Sequence, residues 1–147
     1  TSSSLSGNVI TFNQGDGTFL INGSAPYQFQ RSFGVSTFNT ANFADDRLSI
    51  RMGNTFMRTN AVDQFAFYQI QTNNYKVAVA YGTNTASQVL NAVIAGTDTS
   101  VITPSNYDVM EIGKVESNTS LYTNGTISQL TYYPTRLTNT QLQTLTK

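Results

Sequence analysis

The sequence contains no cysteine, no histidine and no tryptophan among its 147 residues. Without cysteine, disulfide bonds and thiolate chemistry are excluded. Without histidine, the chain lacks the commonest general base and the commonest transition-metal ligand, so a Ser-His-Asp hydrolase site is excluded too. Charge is also scarce, because 11% of the residues are Asp, Glu, Lys or Arg, where about 25% is usual.

The charge is balanced, with eight basic and eight acidic residues and a net charge of zero. No basic patch is visible for phosphate groups, so we expect no nucleic-acid binding. No apolar run approaches the roughly 18 residues of a membrane span, and we expect no membrane insertion. Residues 1–7 (TSSSLSG) lack the basic and hydrophobic regions of a signal peptide. We interpret residues 1–7 as a linker or N-terminal tail and residues 8–147 as one domain.

Uncharged polar residues and short apolar runs make up most of the remaining sequence. Threonine packs well on a pleated sheet, while asparagine and glycine suit tight turns. Roughly nine or ten short apolar runs recur at spacings near ten residues, a pattern typical of an all-β sandwich or barrel. Residues 9–12 and 18–21 are predicted to form a hairpin across Gly15, Asp16 and Gly17. In YKVAVAYG, residues 75–82, the side chains of Val77, Val79 and Tyr81 share one face.

The last residues predict a strand followed by a short helix. Thr138 and Gln141 have the spacing of a capping box, in which each side chain binds the other residue's backbone N–H. Leu142 and Leu145 lie on one side of such a helix. With Leu137, they are predicted to pack against the edge of the sandwich and close an open end of its core.

This ending and two upstream stretches carry a resemblance to a known family. In the ending, the motifs are Asn124-Gly125-Thr126-Ile127, Tyr133-Pro134-Thr135-Arg136-Leu137 and the paired leucines. The first upstream stretch contains Lys76, Ala78, Ala80 and Tyr81, and the second extends from Pro104 through Met110 to Ile112-Gly113. From Arg47 to the end, the chain resembles the laminin-G-like, concanavalin-A-like lectin domains of bacteriophage tail and tail-fibre proteins. It departs from them in having LNAVIAG where they carry an Asn-Gly hairpin, and in lacking tryptophan.

The resemblance implies a two-sheet antiparallel jelly-roll sandwich with a short C-terminal helix. It implies a non-catalytic carbohydrate- or receptor-binding module at the tip of a tail fibre, located on the virion and extracellular after release. Its partners would be a host-surface glycan or receptor and two further copies of the chain in a homotrimer. A structural decoration or assembly domain of the virion without a ligand is one alternative, and a glycan hydrolase is another.

The carboxylates do not form the pattern of a glycan hydrolase on one strand. Such an enzyme uses two carboxylates on either side of the glycosidic bond. Glu111 and Glu116 are five residues apart, and Asp108 and Glu111 are three apart, so each pair points to opposite faces of a regular strand. A pair assembled from distant strands stays open as an alternative.

Candidate sugar-binding residues are tyrosines that adjoin amides in predicted loops. An amphipathic phenol can pack against a sugar ring, while neutral amides bind its hydroxyls. Most other aromatic residues alternate within strands and are predicted to be core. The ligand-binding candidates are Asn73, Asn74, Tyr75, Asn106, Tyr107, Asp108 and Tyr122.

Two loops carry oxygen ligands of the kind that Ca²⁺ prefers. One contains Asp16 in NQGDG, and the other contains Asp45 and Asp46. A Gly-Asp-Gly sequence is also a plain hairpin turn, and Asp45 and Asp46 equally suit ion pairs with Arg47 or Arg58. Calcium is the one cofactor that the sequence suggests.

Overall fold

The structure, a computed structural model, describes residues 3–6, 13–24, 34–38, 46–51, 54–68, 73–104, 107–113 and 125–147. Within these ranges it contains eleven strands and one helix. The elements are β1 (Ser3–Ser6), β2 (Asp16–Ser24), β3 (Gly34–Phe38), β4 (Arg47–Arg51), β5 (Asn54–Thr59), β6 (Val62–Tyr68), β7 (Asn74–Gly82), β8 (Thr85–Leu90), β9 (Val93–Asp98), β10 (Val109–Ile112), β11 (Thr126–Tyr133) and α1 (Asn139–Leu145).

The strands form two antiparallel sheets. One has six strands in the order β1-β10-β3-β4-β5-β6, and the other has five in the order β11-β2-β7-β8-β9. The last strand, β11, pairs with the early strand β2, as predicted. The all-β, two-sheet architecture with a short C-terminal helix is confirmed.

The structure describes part of residues 1–7, the segment interpreted as a linker or N-terminal tail. Ser3–Ser6 forms the edge strand β1, which pairs with β10. A serine-rich segment has no apolar alternation, but strand pairing uses backbone groups that every such residue carries. The predicted strand at 9–12 lies outside the described residues, and its partner at 18–21 lies within β2.

The main core lies between the two sheets. From the five-stranded sheet, Val77, Val79 and Tyr81 point inward together as predicted, each at most 2% exposed. The six-stranded sheet contributes residues such as Leu48 and Met57, which are directly paired across β4 and β5. Because alternate residues of a strand face opposite sides, the remaining residues of these strands lie on the two outer faces of the sandwich.

A second, smaller core lies between α1 and the outer face of the five-stranded sheet. The predicted capping box is present, with Thr138 and Gln141 as reciprocal partners. Leu142 is fully buried against Leu20, Ala78 and Val89. The helix therefore covers a sheet face and does not close an open end of the main core. The small alanines on this face of β7 leave the room that the helix needs.

Two tight hairpin turns use an Asn-Ala pair with positive φ angles. Asn60 and Ala61 have φ of 51° and 62°, and Asn91 and Ala92 have φ of 46° and 65°. Two left-handed residues match the twist of a β-hairpin, and glycine usually takes the second position. Asn91 and Ala92 thus make the turn at the place where the resembled family carries Asn-Gly.

Candidate functional site

The first predicted group of ligand-binding residues lies at one end of the five-stranded sheet. Asn73 and Asn74 are exposed, as expected. Tyr75 is only 6% exposed and belongs to the main core, so its expected place on a surface loop is wrong. Its hydroxyl occupies space that Gly23 leaves free, since a Cβ on Gly23 would lie 2.4 Å from it. Burial raises the pKa of the Tyr75 hydroxyl.

The second predicted group is also divided between core and surface. Tyr107 is 4% exposed, which corrects its expected surface position, while Asp108 is exposed. The Gln14 side chain accepts from the Tyr107 N–H at 2.8 Å and donates to its carbonyl at 3.0 Å. Burial raises the pKa of Tyr107. Gln14 precedes β2 whereas Gly23 is near its end, so the Tyr107 and Tyr75 groups lie at opposite ends of this strand.

Two of the predicted sugar-binding residues, Asn106 and Tyr122, lie outside the described residues. The described candidates therefore do not converge on one site. Asn74 and Tyr75 nevertheless line an open groove of about 480 Å³. We call it the asparagine groove, and its principal lining residues are Asn22, Asn74, Tyr75, Lys76, Asn91 and Ser128.

A basic and aromatic surface, absent from the predictions, lies on the outer face of the six-stranded sheet. Leu48 and Ile50 of β4 point into the core, so Arg47 and Arg51 point outward. Their guanidinium carbons lie 5.1 Å and 4.5 Å from the centroid of the Phe56 ring. Both distances are within the range of cation–π attraction. We call these three residues the arginine face.

The surroundings of the arginine face are partly buried. Ser49, between the two arginines in sequence and paired with Phe56 in register, has no exposed surface. Glu111 of β10, on the same outer side, is 8% exposed. The signal for this surface was present in RLSIR, because the residues that alternate with its apolar side chains are two arginines and a serine. Sequence reasoning used only the apolar half of that alternation.

A third arginine on this side has its charge balanced locally. Arg58 lies 3.5 Å from the carboxylate of Asp63 and donates to the Ala61 carbonyl at 2.7 Å. It is the register neighbour of Arg47 across β4 and β5. Arg58 therefore serves the β5–β6 turn and stands beside the arginine face.

The described aspartates of the predicted calcium loops are both engaged in turns. Asp16 accepts from the Asn13 side-chain amide and, at 3.3 Å, from the Arg136 backbone N–H. Asp46 accepts from the Asn60 N–H at 2.9 Å. Asp45 lies outside the described residues. Among the residues that are described, no three His, Cys, Asp or Glu side chains form a group that could hold a metal ion, and calcium stays a prediction.

No helix in the described ranges is long and apolar enough to cross a membrane.

Comparison of the whole chain with known proteins finds similarity in structure only. No family model and no curated sequence matches. The CBM40 carbohydrate-binding module of the Ruminococcus gnavus IT-sialidase is similar, with a TM-score of 0.71 at 16% identity, over 91% of this chain and 84% of that one. The fold is a lectin-like jelly roll.

Two larger proteins contain the same fold. The NanB sialidase of Streptococcus pneumoniae matches with a TM-score of 0.70 at 13% identity, over 90% of this chain and 24% of that one. Domains LG4-5 of the mouse laminin α1 chain match with a TM-score of 0.68 at 8% identity, over 93% of this chain and 40% of that one. This lectin-like jelly roll therefore spans about a quarter of the sialidase chain but most of the isolated module.

Proposed function

We propose that this chain is a non-catalytic glycan-binding module that holds an acidic sugar at the arginine face. The observation that carries the proposal is the convergence of Arg47 and Arg51 on the Phe56 ring. Each guanidinium presents several N–H donors in a rigid plane that fits a carboxylate. Packing against the ring restricts both side chains before a ligand arrives, so less side-chain entropy is lost on binding.

The similar solved structures support the class of ligand. The R. gnavus IT-sialidase CBM40 has been solved bound to α2,3-sialyllactose and to α2,6-sialyllactose. The sialyl residue of both trisaccharides carries a carboxylate, a group that arginine binds through two parallel hydrogen bonds. The low identity of 16% transfers the fold and no individual residue, so the arginine face is argued from this chain's own geometry.

The absence of a carboxylate pair beside Glu111 supports a binding role over hydrolysis. Across the sheet, Glu111 pairs with Ser4 on one side and Ser36 on the other. The described neighbouring strands thus supply no second acid beside it. Asp63, an acid at the far edge of the same sheet, is paired with Arg58.

The proposal is tested by calorimetric titration with α2,3-sialyllactose, using lactose as the uncharged comparison. Arg47→Gln and Arg51→Gln should each weaken sialyllactose binding about tenfold or more, because a hydrogen bond to a charged group contributes about 1.5–3 kcal/mol. Arg58→Gln is the matched control. It removes the same charge from the same sheet side, but Arg58 contacts Asp63 and the β5–β6 turn and does not contribute to the arginine face, so the affinity should change by about twofold or less.

Equal affinity for lactose and sialyllactose would contradict the assignment of an acidic sugar. If Arg58→Gln weakened sialyllactose binding as much as Arg47→Gln, the affinity would depend only on the net charge of the protein. No saturable binding to any glycan would favour a decoration or assembly domain instead. Release of reducing sugar would show a hydrolase.

The biological setting proposed is the one that the sequence resemblance implies. We propose a receptor-binding tip of a phage tail fibre or related virion protein, assembled as a homotrimer on a host-surface glycan. Light scattering on the protein in solution should give a mass three times that of one chain. Repeating the sialyllactose titration with EDTA tests the calcium prediction, since a bound Ca²⁺ that supports the site would make the affinity fall.

A further inference from the structure

We propose that the asparagine groove is a second saccharide site, separate from the arginine face and suited to an uncharged sugar. The inference rests on the proposed function only for the class of ligand, a glycan. Its volume of about 480 Å³ lies within the roughly 300–1,000 Å³ that small-molecule sites occupy.

The groove is built where four separate segments meet. Asn22 comes from the end of β2, Asn74 and Lys76 from the start of β7, Asn91 from the β8–β9 turn and Ser128 from β11. Asn22 and Lys76 are direct partners in the β2–β7 register. Tertiary structure thus gathers polar side chains that are far apart in sequence.

The wall formed by the β8–β9 turn is fixed to β7. The Asn91 side chain accepts from the Lys76 N–H at 2.8 Å and donates to the Asn74 carbonyl at 3.4 Å. Its own N–H donates to the Lys76 carbonyl at 2.9 Å. From the helix side, the Thr146 hydroxyl accepts from the Ala92 N–H at 3.1 Å. The groove is therefore preorganised, which lowers the entropy cost of binding.

A β-bulge sets the opposite wall. The register between β11 and β2 shifts between Ile127 and Gln129, which leaves Ser128 without a partner residue in β2. A bulge bends the strand and redirects a side chain, and bulges are frequent beside binding sites. The Ser128 hydroxyl donates to the Asn22 carbonyl at 3.3 Å, which places it at the groove.

The chemistry of the lining favours an uncharged sugar. No acid is present among the lining residues that the structure describes, so a metal ion or a cationic ligand is disfavoured. An amide both donates and accepts hydrogen bonds, as a sugar hydroxyl does. Lys76 and Lys147 are the two cationic residues of the lining, and the Lys76 ammonium donates to the Lys147 backbone carbonyl.

The two sites lie on different sheets. Lys76 shares the outer face of the five-stranded sheet with Ala78, which α1 covers. Arg47 and Arg51 lie on the outer face of the six-stranded sheet, and the main core separates the two. A ligand in one site does not contact the other, so each is tested alone.

The test is a ¹⁵N–¹H NMR titration of the intact chain with galactose, glucose, mannose and N-acetylglucosamine, each to about 10 mM, which would nearly saturate a site with a dissociation constant of about 1 mM. At least one sugar should shift the amides of Lys76, Asn91 and Ser128 saturably. The amides of Ser49 and Phe56 report on the arginine face and should stay unshifted. Sodium sulfate, titrated in parallel, tests for an anion site.

Ser128→Phe fills the groove from an exposed position and should abolish the groove shifts. Thr140→Phe, a similar enlargement at an exposed helix position outside the groove, should leave them unchanged, and the dispersed spectrum verifies that each variant is folded. Absence of saturable groove shifts with all four sugars, or shifts with sulfate alone, overturns this inference and leaves the arginine-face proposal intact. In a further titration with α2,3-sialyllactose, groove shifts without shifts of the Ser49 and Phe56 amides would uphold the groove and overturn the arginine face.

Discussion

Gln88 is a buried amide in an apolar core, and replacing it should stabilise the protein. The side chain has no exposed surface. Its cross-strand partners are Val79 and Gly96, so it points between the sheets with Val79. Neither its amide oxygen nor its amide nitrogen has a hydrogen-bond partner within the described part of the chain. Across the core, the Phe67 ring fills the space where Gly96 lacks a side chain.

The size of the stability change follows from two opposing free-energy contributions, the relief of an unpaired buried amide and the cost of altering core packing. A buried polar group without a partner costs about 1–3 kcal/mol. Methionine has nearly the shape of glutamine, and a swap that conserves volume costs less than about 1.5 kcal/mol. Gln88→Met should therefore raise the free energy of unfolding by about 1–2 kcal/mol, and the melting temperature by about 2–8 °C for a chain of this length.

Urea denaturation measures this free energy. An unchanged m-value verifies that the surface exposed between the folded and unfolded states is the same in the variant. Gln129→Met, at an exposed position of β11, is the control, with an expected change within about 0.5 kcal/mol. If Gln88→Met lowers the free energy of unfolding by more than about 1 kcal/mol, the amide is hydrogen-bonded in solution, for example to an internal water. That result would refute the reasoning.

Two further predictions concern backbone strain and pH. Ala92→Gly should raise the free energy of unfolding by about 0.5 kcal/mol, because relief of about 1–2 kcal/mol at a left-handed residue exceeds the 0.5–1 kcal/mol entropy cost of glycine. Ala95→Gly in β9 is the control and should lower the free energy of unfolding. If urea denaturation shows that both variants change this free energy in the same direction, the argument is contradicted. Burial raises the pKa values of Tyr75, Tyr81 and Tyr107, whereas unfolded phenols ionise near pH 10. The folded state then binds more protons above about pH 10, so the urea midpoint should fall as pH rises from about 10, and a constant midpoint would disprove this linkage.

Local patterns predicted the elements that depend on neighbours in sequence. The alternation of Val77, Val79 and Tyr81 predicted a strand and its inward face, because the two-residue period is a property of the strand itself. Thr138 and Gln141 predicted the start of α1, since a capping box is closed within one turn of helix. The resemblance of the last residues to lectin-like domains predicted the fold class.

The positions of single tyrosines were harder to predict. Tyr75 and Tyr107 adjoin asparagine or aspartate and were expected on exposed loops, yet both are core residues. Their burial depends on remote partners, since Gly23 leaves room for one phenol and Gln14 holds the backbone of the other. No local composition carries that information.

The sequence by itself determined an all-β chain with a capped terminal helix and a surface poor in charge, because these follow from periodicity and composition. Only the tertiary structure decided which polar residues meet. The β4–β5 register sets Arg47 and Arg51 around Phe56, and the β8–β9 turn and the β11 bulge bring Asn91 and Ser128 to the end of β7. Side chains far apart in sequence become neighbours only when strands pair, so a binding surface exists only in the folded sandwich.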